Sequence, residues 1–145
     1  MTDLLIEKGR MLTSAGWSEI GYLAIQDGKI SVMGTGPAPD DLHQSANQVI
    51  SAEGMAVLPG LTNAHTHLSQ TFMRGLSAGR PLLRWLKELI WPLQEAMSLE
   101  ELRLAALLGL VENLRCGATH VVDHQKITKT PDYSLAVCSA AEQIG

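Results

Sequence analysis

The segment Met55-Ala56-Val57-Leu58-Pro59-Gly60-Leu61 is an unbroken apolar run that ends on the polar cluster Thr62-Asn63-Ala64-His65-Thr66-His67. An apolar run without alternation is what a strand covered on both faces requires, and such strands belong to parallel sheets. The residues that follow keep to that plan. A polar, glycine-containing loop is expected from Ser69 to Gly79, after which Pro81 opens an apolar helix over Leu82 to Trp91 and Pro92 is placed to stop it. Ser98 with Glu101 three residues on matches a capping box, and Gly117 stands where the glycine after a helix ending at Cys116 belongs. Ala118 to Asp123 then reads as a strand and Asp132 to Gln143 as a helix. Strand, helix, strand, helix with short links is the repeat of a parallel α/β sheet.

The residues before Met55 have a different character. Leu4 to Glu7 and Arg10 to Thr13 read as short strands parted by a Lys8-Gly9 turn. Tyr22 to Gln26 and Lys29 to Met33 flank Asp27-Gly28, a dipeptide that supplies the positive φ angles of a type I′ turn, so a hairpin is expected there. Gly34 to Asp41 has loop composition, and Val49 to Ala52 is a further short strand. This half is expected to be a small antiparallel sheet that must pack against more than itself to bury a core.

The formal net charge is -4 and the eleven Lys and Arg residues are scattered, so no basic stripe is present to neutralise phosphates or an anionic membrane. Hydrophobic residues make up 46% and charged ones 18%, a balance that disfavours disorder. Cys116 and Cys138 lack a CxxC neighbour and read as reduced core thiols. The start of the chain has neither a basic segment nor a long apolar stretch, so a cytoplasmic location is the expectation.

His65-Thr66-His67 carries the chemistry. Residues i and i+2 of an extended segment point to one face, so two imidazoles can reach one ion from a single strand. The end of a barrel strand is also where the sites of (β/α)₈ enzymes assemble. An HxH spacing alone is a weak signal; the apolar Pro-Gly strand in front of it is what raises it.

The stretch Val57 to Leu68, with its Pro59-Gly60 and its HxH, resembles the opening strand of the amidohydrolase superfamily. Ser69-Gln70-Thr71-Phe72-Met73-Arg74-Gly75-Leu76, Leu83, Trp85 and Trp91-Pro92 narrow the resemblance to the branch of guanine deaminase, S-adenosylhomocysteine deaminase and the s-triazine hydrolases. The resemblance implies an α/β fold: half of a small β-sandwich over residues 1–55, then the first two βα units of a (β/α)₈ barrel over 56–145. It implies His65 and His67 as ligands of one divalent ion, zinc or else iron, and Gln70 as a substrate contact. The implied reaction is hydrolytic deamination of a purine, pterin or related cyclic amidine by metal-activated water. Removal of chloride or an alkylamine from a triazine is the alternative within the branch, and a noncatalytic remnant or interaction module is the alternative outside it. No residue here matches the family's later histidines, its HxxE glutamate or its last aspartate, so no catalytic acid or base is assigned in this chain. The rest of the site is expected from a second chain or segment, in an enzyme that is a homo-oligomer when complete and has no nucleic-acid or membrane partner.

Other residues have plainer readings. Trp85 is balanced between the substrate pocket and the core, whereas Trp91 reads as core. His124 reads as a loop histidine bonded to a neighbour, with a place on the catalytic rim as the alternative, His120 as a packed strand residue and His43 as solvated, while Arg74 reads as a solvated loop cation before a contact to an anionic substrate group.

Overall fold

A computed structural model describes residues 2–76 and 79–145, which form two compact units, Met1–Pro59 and Gly60–Gly145.

The first unit is a mixed sheet. β1 (Thr2–Thr13), β2 (Gly16–Gln26) and β3 (Lys29–Thr35) are antiparallel neighbours, and α1 (Asp40–Ser45) leads into β4 (Ala46–Ser51). The Asp27-Gly28 hairpin forms as expected, with φ of 51° and 69°. The antiparallel expectation fails for the other edge of β1, which β4 and β5 (Ala56–Val57) share, both in parallel. The reason is α1, expected as loop, which carries the chain back so that β4 starts level with β1; His43 lies exposed on this helix.

Lys8-Gly9 is likewise not a turn. β1 runs straight through it as a bulge, with Lys8 at φ 63° and the register slipping between Glu7 and Gly9. A Cβ at Gly9 would lie 2.9 Å from both Ala52 Cβ and Val57 Cγ2, so the backbone of β1 approaches its neighbours too closely for a side chain. Leu5, Met11, Leu23, Ala24 and Ala52 are the buried apolar residues here.

The apolar run at 55–61 is therefore divided. Val57 pairs with Met11 in the first unit, and the strand that delivers the histidines, β6 (Leu61–Thr66), begins only after Pro59-Gly60. β6 pairs in parallel with β7 (Ala118–Asp123). The expectation that it is covered on both faces also fails among these residues, since Leu61 is 55% exposed. His120, expected to be packed, is exposed on the same two-stranded sheet.

The covered face of the second unit belongs to two helices. α4 (Leu99–Arg115) presents Leu102, Ala106 and Leu110, and α5 (Pro131–Ile144) presents Tyr133, Val137 and Ala140. These spacings of three and four lie on one stripe of a helix. The two stripes meet with Leu68 and Val121 in one core. α4 starts as expected on the Ser98–Glu101 capping box and ends on Gly117 at φ 83°.

The segment after His67 is ordered where a loop was expected: Leu68–Met73 is a 3₁₀ helix, and of the expected loop Ser77 and Ala78 lie outside the described residues. Pro92 does not stop its helix either. α2 (Leu82–Trp85) passes through a π turn, Leu86–Ile90, into α3 (Trp91–Ala96). In that wider turn the Trp91 N–H bonds back to the Leu86 carbonyl, and the proline's missing donor is tolerated. Cys116 and Cys138 are both exposed, against expectation: Cys116 lies just beyond the last helical residue, and Cys138 follows Val137 on α5, turned off the buried stripe. Among the described residues no helix is long and apolar enough to cross a membrane.

Candidate metal centre

His65 is the fifth residue of β6, and His67 follows the last one directly. Their rings lie edge to face with centroids 5.0 Å apart, and His124 brings a third ring to 5.0 Å from His67. His67 Nδ1 is 2.6 Å from the main-chain oxygen of His124. A carbonyl can only accept, so the proton of a neutral His67 sits on Nδ1 and its Nε2 keeps the free lone pair. An imidazole oriented by such a bond is the usual form of a metal ligand.

The surroundings of the pair are held from several sides. The His124 N–H donates to the Thr66 carbonyl at 2.9 Å, and the Leu68 N–H donates to Asp123 Oδ1 at 2.8 Å. Asn63 Oδ1 accepts the His65 N–H at 3.2 Å, while its Nδ2 donates to Asn113 Oδ1 on α4 at 2.7 Å. Gln94 Nε2 donates to Ser69 Oγ at 2.7 Å in a buried pair. The backbone around the histidines is thus tied to β7, α3 and α4.

The histidines open on a cleft of about 540 Å³ whose wall includes Gln70, Trp85, Trp91 and Lys126. Trp91 is half-buried rather than core, with the Lys126 ammonium 5.9 Å from its ring centre. Trp85 is also half-buried, and its indole N–H is enclosed without an acceptor among the described residues. Arg74 is exposed as expected but engaged, its guanidinium forked onto Glu112 at 2.8 and 2.9 Å. That hydrogen bonding raises the Arg74 pKa and holds the Glu112 carboxyl below the usual carboxylate range.

Among the described residues no three or more His, Cys, Asp or Glu side chains converge to hold an ion. Two imidazoles, one with its tautomer fixed, fit part of the ligand set of a divalent transition ion; catalytic zinc takes three protein ligands.

His65, His67, Gln70 and Trp85, the candidates expected from the sequence, line one cleft. Asn63, Asp123 and the main chain of His124, which hold the backbone around the histidines, carried no local sequence signal: the pairing of β6 with β7 is what sets Asp123-His124 beside Thr66-His67.

The amidohydrolase family model matches residues 56–145. The chain is 37% identical over 131 residues to a 5-methylthioadenosine/S-adenosylhomocysteine deaminase of Caldicellulosiruptor saccharolyticus, covering 87% of this chain and 30% of that protein. It is 36% identical over 126 residues to a 5'-deoxyadenosine deaminase of Methanosarcina mazei, covering 85% of this chain and 28% of that protein. The chain therefore spans under a third of the length of these curated relatives. Among solved structures, a zinc-bound adenosine deaminase from Xanthomonas campestris superposes with a TM-score of 0.81 at 28% identity, over 98% of this chain and 32% of that one. The two units thus carry the fold that opens an amidohydrolase barrel enzyme, and the chain belongs to the amidohydrolase family.

Proposed function

We propose that this chain supplies the first two metal ligands and part of the substrate wall of a hydrolase that deaminates an adenosine-type purine nucleoside. The observation that carries the reading is the His65–His67 pair at the end of β6, with the Nε2 lone pair of His67 left free by its bond to His124. The deaminase relatives support the reaction class, and the zinc in the Xanthomonas structure supports zinc over iron.

The ion, when bound, supplies Lewis acidity for hydrolysis of a ring C–N bond. The chain's own residues hold and orient. His65 and His67 are the ligands, Trp85 and Trp91 flank a flat heterocycle and exclude water, and Gln70 offers the substrate an amide. The remaining ligands and the general acid come from outside these residues, as a further segment or a second polypeptide, in an oligomeric cytoplasmic enzyme.

Ammonia release from 5'-methylthioadenosine and S-adenosylhomocysteine by this chain together with the residues that complete the site, measured beside zinc content, tests this. Activity that requires zinc and vanishes in His65→Ala and His67→Ala supports it. A protein that retains zinc and activity in both variants overturns it.

A further inference from the structure

Asp123 stands at the end of β7 with one carboxylate oxygen 2.8 Å from the Leu68 amide nitrogen. Its side chain lies on the helix side of the sheet, in a cleft lined by Leu68, Leu110, Asn113 and Val137, and not among the residues lining the histidine cleft. It cannot be a ligand from there. What it holds is the peptide group that joins His67 to Leu68. Two further contacts close the same junction: the His124 N–H donates to the Thr66 carbonyl, and His67 Nδ1 donates to the His124 carbonyl. Three successive residues of one strand end are thereby fixed to two of the next.

The geometry points to Asp123 as a positioning residue for the metal site: its carboxylate sets the His67–Leu68 backbone, and with it the bond that fixes the ring and tautomer of His67. This rests on the reading of His65 and His67 as ligands. The backbone of His67 leaves the strand at φ −132°, ψ 81°, and among the described residues it has no pairing partner beyond Thr66, so its course depends on the contacts just described. Leu68 is itself buried in the core with Leu102 and Val137, which makes the junction stiff on one side only. Asp123 supplies the other side. An acceptor is what the position needs, and the negative charge is incidental.

Cobalt(II) serves as the probe, in the full protein. Kd from chelator competition and the ligand-field spectrum are compared for the unmodified protein, Asp123→Ala and Asp123→Asn, with the His67 tautomer read by nitrogen-15 NMR in the metal-free state. Removing an outer contact of a ligand typically costs about 10–100-fold in affinity. Asp123→Ala is expected to weaken cobalt by that much, shift the spectrum and mix the tautomers. Asp123→Asn, whose Oδ1 accepts the same N–H, is expected to stay within about threefold with an unchanged spectrum. If Asp123→Ala fails to fold, Asp123→Ser, too short to reach the amide, replaces it. Unchanged cobalt affinity and tautomer in the alanine or serine variant overturns the assignment, as does an asparagine variant as impaired as alanine. An unmodified protein that holds no cobalt overturns the ligand reading instead, and the metal-free tautomer measurement then decides Asp123 by itself.

Discussion

His67 and His124 touch each other through different parts of the residue, a ring nitrogen in one and a main-chain oxygen in the other. Their substitutions should therefore part company. His67→Ala removes one of the two proposed ligands and is expected to lower zinc affinity by at least about 100-fold, whereas His124→Ala keeps its carbonyl and is expected to stay within about fivefold. Equilibrium dialysis of the two variants checks this, and equal losses would mean that the His124 ring also binds. The HxH spacing was legible because a strand fixes which residues share a face. The outer contacts were not, since they join residues about 50 positions apart, and only the strand pairing brings these together. The exposed cysteines show the same limit: a helix pattern tells which residues share a stripe, but Cys138 falls beside the stripe and not on it.

α4 links local sequence to the site. Ser98 Oγ accepts the Glu101 N–H at 3.2 Å, and Glu101 Oε2 accepts from the Ser98 N–H at 2.8 Å. Ser98→Ala should cost about 1 kcal/mol in urea unfolding. The Glu101 carboxyl is held below its ordinary value of 4.5, first by the Ser98 backbone and then by its hydroxyl. With the folded value depressed, its contribution is complete above 4.5 and is lost as the pH falls through the folded value. A Glu101→Gln variant should show a shallower loss of stability across that acid range. Further along α4, Gly109 faces the 3₁₀ helix, and a Cβ there would stand 2.7 Å from Thr71 Oγ1 and 2.9 Å from Leu68 Cδ2. Alanine would gain about 1 kcal/mol of helix propensity and lose about 1–3 to overpacking. Thr71 is tied to the Leu68 carbonyl and Leu68 is buried, so neither yields easily. Gly109→Ala should be destabilising on balance, read as a lower unfolding midpoint, with the proposed metal site weakened through Leu68. Capping boxes and C-terminal glycines were legible because they are local. Pro92 misled because a π turn in the preceding residues accommodates it.

Of the molecule as a whole, the βα succession was readable and the pairing partners were not. Local composition cannot say that Val57 pairs with Met11 while Leu61, four residues on, begins a strand that pairs with β7. In the second unit that sheet has two strands, too few for independent stability without further cover. These 145 residues expressed alone are expected to bind a hydrophobic dye and release no ammonia from adenosine-type substrates; full activity would refute the incomplete ligand set. The first unit has a different character, because one long strand is shared along a single edge by two short ones that arrive later in the chain. On the ribosome, β2 can zip to β1 and β3 to β2 as each emerges, but the other edge of β1 has to wait roughly 40 residues for its partners. At about 5–20 residues per second that is an interval of about 2–8 s, during which a nascent strand with unpaired amides is open to any neighbouring chain on the same polysome. Slowing translation between Thr13 and Val57 with synonymous rare codons would lengthen that interval, so the soluble yield of this protein should depend on codon choice in a stretch that encodes neither His65 nor His67.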